Sequence, residues 1–419
     1  MEYIKSKDIF LLMRDIMKMI NPTLMEHGSR VAYIVYKMLQ EEGRYEEFEL
    51  ADIVMVATMH DIGAYKTEAA RMNDMLQYET RDNMAHSIYG YLFFKYLSPL
   101  PDLAKVIMYH HRDYEKLKDS EYEYKDVAAY VNIAEKIDIY AGAMGAQFKT
   151  RMFQKQAGTK LSDKGLECFY RCDEKYDIMG KLKSGEYKQE LDEIVEYMIF
   201  SNEDKKRFLE MLMYCQGFVR ESMVFDTVTA ACICEEMCQI MYLPEQEREM
   251  LYYATLIHDI GMLAIPKEIV RALRKLKKDE MQIVRTHIEI AEKQLKTKMK
   301  DEILEIALAH HERGDGSGYP RHLKEGQISL HQGILQVVDV VSALVRKRSY
   351  REAMPKQQII SLLNEDAAKK RLKHQIVSMF VNSYDEIMEH VKKEMAGTLK
   401  MYQTLNLQYQ QVSKKYNLK

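Results

Sequence analysis

The sequence predicts an all-α protein of two tandem helical bundles joined by a helical connector. Three observations carry that expectation. Glycine and proline, at 18 and 7 of 419 residues, are too scarce for a fold rich in turns. Apolar residues recur at helical spacing, as in Val31, Ile34, Val35 and Met38, and again in Ile283, Val284, His287, Ile290 and Leu295. One pattern of histidines and carboxylates occurs twice along the chain. The expected divisions are a first bundle over residues 1–145, a connector over 146–218, a second bundle over 219–395 and a polar helical tail over 396–419. One short hairpin near residues 314–320 is compatible with this reading.

The elements follow in order. The stretch Ile9–Ile20 is apolar but carries Arg14, Asp15 and Lys18 at amphipathic positions, so it reads as a packed surface helix and not as a signal peptide. No run approaches the ~20 apolar residues that a membrane helix needs. The composition, 47% hydrophobic and 30% charged, is that of a folded soluble protein. A net charge of −3 excludes a general coat for nucleic-acid polymers and a polybasic membrane patch. The 30 methionines read as adaptable core packing. Among the six cysteines, Cys232, Cys234 and Cys238 stand at helical spacing among Ala, Ile and Met, which reads as core thiols in a reducing cytoplasm.

The repeat begins at Ala57-Thr58-Met59-His60-Asp61-Ile62-Gly63 and Ala254-Thr255-Leu256-Ile257-His258-Asp259-Ile260-Gly261. Each copy has one further histidine, His86 or His287, then a pair, His110-His111 or His310-His311, then an acid inside an apolar helix, Glu135 or Asp339. Upstream the copies differ: His27 precedes the first, Asp226 the second. Nine of 13 histidines fall on these positions, which random scatter would not give. Histidine and carboxylate together suit first-row divalent metals such as iron, manganese or zinc, and less selectively magnesium. Adjacent residues on a helix point about 100° apart, so a His-Asp pair can serve two neighbouring ions with the carboxylate bridging. Such a pair of ions activates water and stabilises charge on a phosphoryl group, so no Ser or Cys nucleophile is needed.

On these residues His27, His60-Asp61, His86, His110-His111 and Glu135 resemble the HD superfamily of metal-dependent phosphohydrolases. In the second copy His258-Asp259-Ile260-Gly261 is followed by Ile265-Pro266, Arg285-Thr286-His287, His310-His311-Glu312-Arg313 and Asp315-Gly316-Ser317-Gly318-Tyr319-Pro320. That order resembles the HD-GYP subclass over most of residues 220–355. The resemblance implies two HD-type bundles and hydrolysis of cyclic di-GMP through two or three metals. It implies metal ligation by Asp226, His258, Asp259, His287, His310, His311 and Asp339, with His258, Asp259 and Asp339 at the chemistry. It implies Tyr319, Pro320, Arg348 and Arg351 at the substrate. The expected cofactors are divalent ions, Fe, Mn or Mg, two per active domain. The expected partner is a cyclic dinucleotide, with a homodimer compatible and no nucleic-acid polymer or membrane.

Both copies depart from the family. Asp226 stands where the family has histidine, which favours manganese or magnesium over zinc. Met262 stands where a lysine near the phosphate is usual, and Ser342 replaces a further acid. Ser222, four residues before Asp226, replaces a glutamate, which argues against a third metal. The first copy lacks the GYP loop and has Ala64 at the lysine position, with Lys66 two residues on. Three functions remain open at this stage: a cyclic di-GMP phosphodiesterase working through the second copy, a degenerate receptor or scaffold for that ligand, and a nucleotide phosphohydrolase working through the first copy.

Overall fold

A computed structural model describes residues 3–66, 84–346 and 353–415. The expected all-α class is found. Helices and tight helical turns carry the described chain, and only three isolated β-bridges occur among the described residues. The short hairpin allowed near the GYP segment is reduced to one antiparallel bridge between Asp315 and Lys324.

The chain forms two compact units. One comprises residues 13–208 with the segment from Thr404 onward. The other comprises residues up to Leu12 with Leu209–Gln403. Their bounds differ from the expected divisions at the N-terminus, over 146–208 and in the tail. Residues 146–208 fall within the first unit. The helix Asp163–Tyr176 buries Leu166, Cys168, Phe169 and Cys172 and packs on the helix Pro22–Glu42. Its thiols approach the Lys37 and Met38 carbonyls at 3.5 Å. The N-terminal strap belongs to the second unit, where Lys300 N–H donates to the Tyr3 carbonyl and Ile4 bridges Met299.

In the first unit, Pro22–Glu42 is the central helix. Its start is set by Asn21, whose side chain accepts the Leu24 N–H at 3.1 Å, and by Pro22 in the first turn. It ends at Gly43, whose φ of 63° is left-handed. Between these caps it buries a stripe including Met25, Val31, Ala32, Ile34, Val35 and Met38. That stripe packs on the helices Glu47–Thr58 and Lys125–Met144. Beside them Met84–Leu97 packs on Ala104–Tyr109.

The second unit repeats the plan. Glu221–Ile240 packs on Glu245–Ile257 and on Leu330–Leu344, and Asp301–Leu308 packs on the latter two. Leu330–Leu344 starts at Ser329, whose hydroxyl accepts the Gln332 N–H while the Gln332 side chain accepts the Ser329 N–H. The polar tail is the end of one long helix, Tyr384–Lys415. No described helix is long and apolar enough to cross a membrane.

Close approach of two helices in the first unit depends on Gly28. A Cβ there would lie 2.2 Å from the Thr58 carbonyl oxygen, which is backbone and cannot turn aside. Gly28→Ala is therefore expected to push Pro22–Glu42 away from Glu47–Thr58 and to cost about 1–3 kcal/mol. Thermal denaturation of the full chain checks this; an unchanged melting temperature would contradict it.

Candidate metal centres

In both units the His-Asp motif sits where a helix stops. Glu47–Thr58 ends at Met59, His60 and Asp61 follow, and the tight turn Ile62–Tyr65 carries the chain away. Glu245–Ile257 ends at His258, and Asp259 precedes the turn Ile260–Ala264. Gly63 and Gly261 press these turns onto the next ligand. A Cβ at either would meet the carbonyl oxygen of His86 or His287 at 2.0 Å. The glycine of each His-Asp-Ile-Gly string thus fixes the spacing between the aspartate and the next histidine.

The histidines are set in one tautomer by the backbone. His60 Nδ1 lies 2.8 Å from the Ala57 carbonyl, and His110 Nδ1 2.6 Å from that of Ile107. His258, His287 and His310 make the same contact three residues back, to Thr255, Val284 and Ala307, at 2.6, 2.7 and 2.6 Å. A carbonyl can only accept, so Nδ1 holds the proton and Nε2 presents a lone pair. These lone pairs then face one another: His287 and His310 Nε2 are 3.4 Å apart. Two acceptors at that distance repel unless a cation lies between them.

In the first unit all seven expected ligands converge. The ligand atoms of His27, His60, Asp61 and Glu135 lie within 4.8 Å of one another, and so do those of Asp61, His86, His110 and His111. Asp61 is common to both groups, as a bridging carboxylate must be. Its Oδ1 is 3.1 Å from His86 Nε2 and 3.8 Å from His110 Nε2; its Oδ2 is 3.7 Å from His60 Nε2. His27 Nε2 and His60 Nε2 are buried without a hydrogen-bond partner. Burying such atoms unpaired costs about 1–3 kcal/mol each, and a divalent ion removes that cost. Burial pushes the His60 imidazole down to about 4 and holds His110 and His111 well below the ordinary value. Burial opposes the charge on Asp61, but His60 and His86 outweigh it and keep the carboxyl well below its usual range. Neutral imidazoles around an ionised carboxylate are the protonation states that metal ligation needs.

Two residues outside the repeat complete this centre. Asp138 accepts from His27 Nδ1 at 2.7 Å and from Arg30 Nε and Nη2 at 2.5 and 2.9 Å. It thereby aims His27 Nε2 inward. Asp138 is one helical turn beyond Glu135 and Arg30 one turn beyond His27, a spacing that by itself does not mark them as partners.

The second unit brings together part of its set. Ligand atoms of Asp259, His287, His310 and His311 lie within 4.8 Å of one another. Asp259 Oδ1 is 3.4 Å from His287 Nε2 and 3.6 Å from His310 Nε2, and its Oδ2 is 3.6 Å from His258 Nε2. Asp339 Oδ2 faces His311 Nδ1 at 3.5 Å. Asp226, His258, Asp259 and Asp339 do not gather as their counterparts do; Asp226 is instead paired with Arg346. The site is also more open: the Asp259 side chain is 32% exposed, against 4% for Asp61. Asp226, Asp259 and Met262 line one cavity of about 210 Å³.

The GYP loop folds over this cluster. Buried Glu312 accepts the N–H groups of Arg321 and Leu323 at 2.6 and 2.9 Å and so closes the loop. Gly318 lets it fold back, since a Cβ there would meet Arg313 N at 2.2 Å, and Gly316 has a φ of 82°. The Tyr319 ring lies 4.8 Å from the His311 ring, and the Arg285 guanidinium lies 4.8 Å above Tyr319. Pro320 follows through a cis peptide. Arg348 and Arg351, expected at the substrate, lie outside the described residues.

If Asp138 aims His27 at an ion, Asp138→Asn should weaken metal affinity of the first unit by about 10–100-fold while leaving the fold intact. Chelator competition on the full chain checks this; equal retention by wild type and variant would contradict it. Acid should act in the same direction. The folded pKa of His60, about 4, lies below its ordinary value near 6.5, so protons favour unfolded and metal-free states. Stability and metal retention are therefore complete above pH 6.5 and are lost as pH falls toward 4. Metal content after dialysis at stepped pH reads the loss; an ion retained unchanged at pH 4 would contradict this account.

Comparison with known proteins agrees with this geometry. Two family models, each described as an HD domain, match residues 24–143 and 210–376. The 3'3'-cGAMP-specific phosphodiesterase 1 of Vibrio cholerae is 25% identical over 85% of this chain and 86% of its own length. A cyclic di-GMP phosphodiesterase of Thermotoga maritima is 34% identical over 34% of this chain and 40% of its own. A crystal structure of a cyclic GMP-AMP-specific phosphodiesterase of V. cholerae superposes with a TM-score of 0.57 at 15% identity, covering 92% of this chain and 98% of that one, which speaks to the fold. The chain thus carries two domains of the HD family and is a homologue of the HD-GYP cyclic di-GMP and cGAMP phosphodiesterases.

Proposed function

We propose that this protein is a metal-dependent phosphodiesterase that opens a 3',3'-cyclic dinucleotide through its second HD domain. The observation that carries this is the cluster of Asp259, His287, His310 and His311 beneath the GYP loop, with Tyr319 against His311. These four side chains would hold the ion, and a bound divalent ion supplies Lewis acidity and an activated water. The chain's own residues do the rest. The backbone contacts of His287 and His310 place the proton of the neutral rings on Nδ1 and aim Nε2 inward. Asp339, facing His311, fixes that ring. Arg285, stacked on Tyr319, sets a permanent cation beside the GYP loop that suits a phosphate oxygen. Tyr319 lies against the His311 ring, and by the family resemblance Tyr319, Pro320, Arg348 and Arg351 contact the substrate. All six cysteines are free, which fits action in the reducing cytoplasm.

The relative that aligns along most of the chain is named for 3'3'-cGAMP, and shorter alignments are to proteins named for cyclic di-GMP. Both nucleotides are therefore candidate substrates, and the first is the one to try first. A second reading, a receptor that binds without cleaving, is favoured by Met262, a thioether at the position where the family has a lysine, in a cavity whose lining cations are Arg220 and Arg274. Incubation of the full chain with each nucleotide and Mn(II) or Fe(II), followed by chromatography, separates the readings. Linear dinucleotide is expected from wild type, and none from Asp259→Ala. Binding of a cyclic dinucleotide without any linear product would replace the enzyme by the receptor.

A further inference from the structure

The two units offer an internal comparison at the position of the first metal. In the first unit His27 is the ligand there and Asp138 the carboxylate holding it, with Gly142 one turn further along the helix of Asp138. Counting from Glu135 and Asp339, the second unit has Ser342 for Asp138 and Arg346 for Gly142. The segment before the second His-Asp motif is one residue shorter, and with that gap allowed Asp226 stands for His27 and Thr227 for Gly28.

These changes are chemically matched. Arg346 Nη1 donates to Asp226 Oδ1 and to the Ser222 carbonyl, both at 2.9 Å, and its guanidinium lies 5.0 Å from the Phe225 ring centre. Two hydrogen bonds and a ring face hold the cation in one place. Ser342 cannot perform the task of Asp138, and its hydroxyl turns back to the Asp339 carbonyl at 2.9 Å. The close helix approach is also gone. The Cβ that would strike backbone at Gly28 is present in Thr227, whose hydroxyl donates to Gln216 Oε1 at 3.1 Å. Thus the ligand histidine, its orienting carboxylate and the glycine that admits it are all replaced, and a permanent cation is added.

We infer that the second domain holds one divalent ion, at Asp259, His287, His310 and His311, and that the Arg346 guanidinium on Asp226 stands in the place the first domain keeps for its other ion. This rests on the metal-dependent reading of the second domain. Arginine does not deprotonate at any working pH, so the positive charge is fixed where a metal's would be exchangeable. A second divalent ion would have to displace it from Asp226 and would find a serine where the first domain has its orienting aspartate. The second domain therefore departs from the two ions per active domain that the family resemblance implies.

The test locates ions directly in the full chain. Crystals grown with Mn(II) are examined by anomalous scattering at the manganese edge. One peak is expected in the second domain, among Asp259, His287, His310 and His311. A further peak on Asp226 would overturn the inference and leave the phosphodiesterase reading intact. No peak anywhere in that domain would overturn both. A solution measurement adds an independent arm: Arg346→Ala removes the guanidinium that is paired with Asp226. Its bound manganese is expected to rise by one ion per chain over wild type at equal helical circular dichroism. An unchanged count would show that Arg346 is not what holds that place.

Discussion

Each domain is organised around imidazole lone pairs that have no proton to share. In both, carbonyls three residues earlier accept the Nδ1–H of ligand histidines, His60 and His110 in the first and His258, His287 and His310 in the second. The Nε2 atoms are left pointing at one aspartate and at each other. In an apolar interior that arrangement is unfavourable until a cation enters, because neither acceptor can satisfy the other. The bundle spends close-packed helix contacts on holding it: Gly63, Gly261 and Gly28 exist at helix crossings where any side chain would collide with backbone. Packing and site are in this sense one structure. The helices approach as closely as they do in order to bring ligands from four or more elements within reach of one aspartate.

The sequence disclosed the ligands more readily than their supports. Histidine and aspartate are uncommon on apolar helix faces, so nine histidines in two matching series stood out without any structure. Local chemistry also gave the turn character of the GYP segment and the helical class. What was not legible was long-range partnership. Asp138 and Arg30 look like ordinary surface residues of amphipathic helices, and only the fold brings them within hydrogen-bond distance of each other and of His27. Arg346 is the partner of Asp226, 120 residues earlier, which no local pattern indicates. The segment 146–208 reads in sequence only as further helices, and the burial of Cys168, Phe169 and Cys172 against the first bundle is seen only in the fold. Periodicity identifies a face to be covered and is silent about which helix covers it.

The contrast in exposure between the two aspartates bears on what each domain is suited to do. In the first, His27, His60, Asp61, His86, His110 and Glu135 are all buried, so an ion there is surrounded by protein ligands. Such a centre resists loss of its metal and gives a large substrate little room. In the second, Asp259 is open to a cavity and the GYP loop stands over the histidine pair without sealing it. An ion held by one carboxylate and three imidazoles at an open face keeps coordination positions for water or a phosphate oxygen. Enclosure and access are opposed demands on the same ligand set, and the two domains have resolved them differently.

Exchange of a metal position for an arginine changes how charge is supplied. A divalent ion brings two positive charges but must be bound from solution, and its occupancy varies with pH and metal supply. A guanidinium brings one charge that is always present and that has been desolvated and oriented during folding, here by Asp226, the Ser222 carbonyl and the Phe225 ring. Its partner carboxylate neutralises part of that charge, so the field reaching a substrate is weaker than an ion's. The missing lysine at Met262 points the same way, toward a site with less positive charge than its relatives' pattern implies. With fewer charges to stabilise a phosphoryl group in flight, chemistry in this domain must depend more heavily on the single ion and on Arg285 above Tyr319, so positioning of the dinucleotide by the GYP loop becomes the main remaining lever on rate.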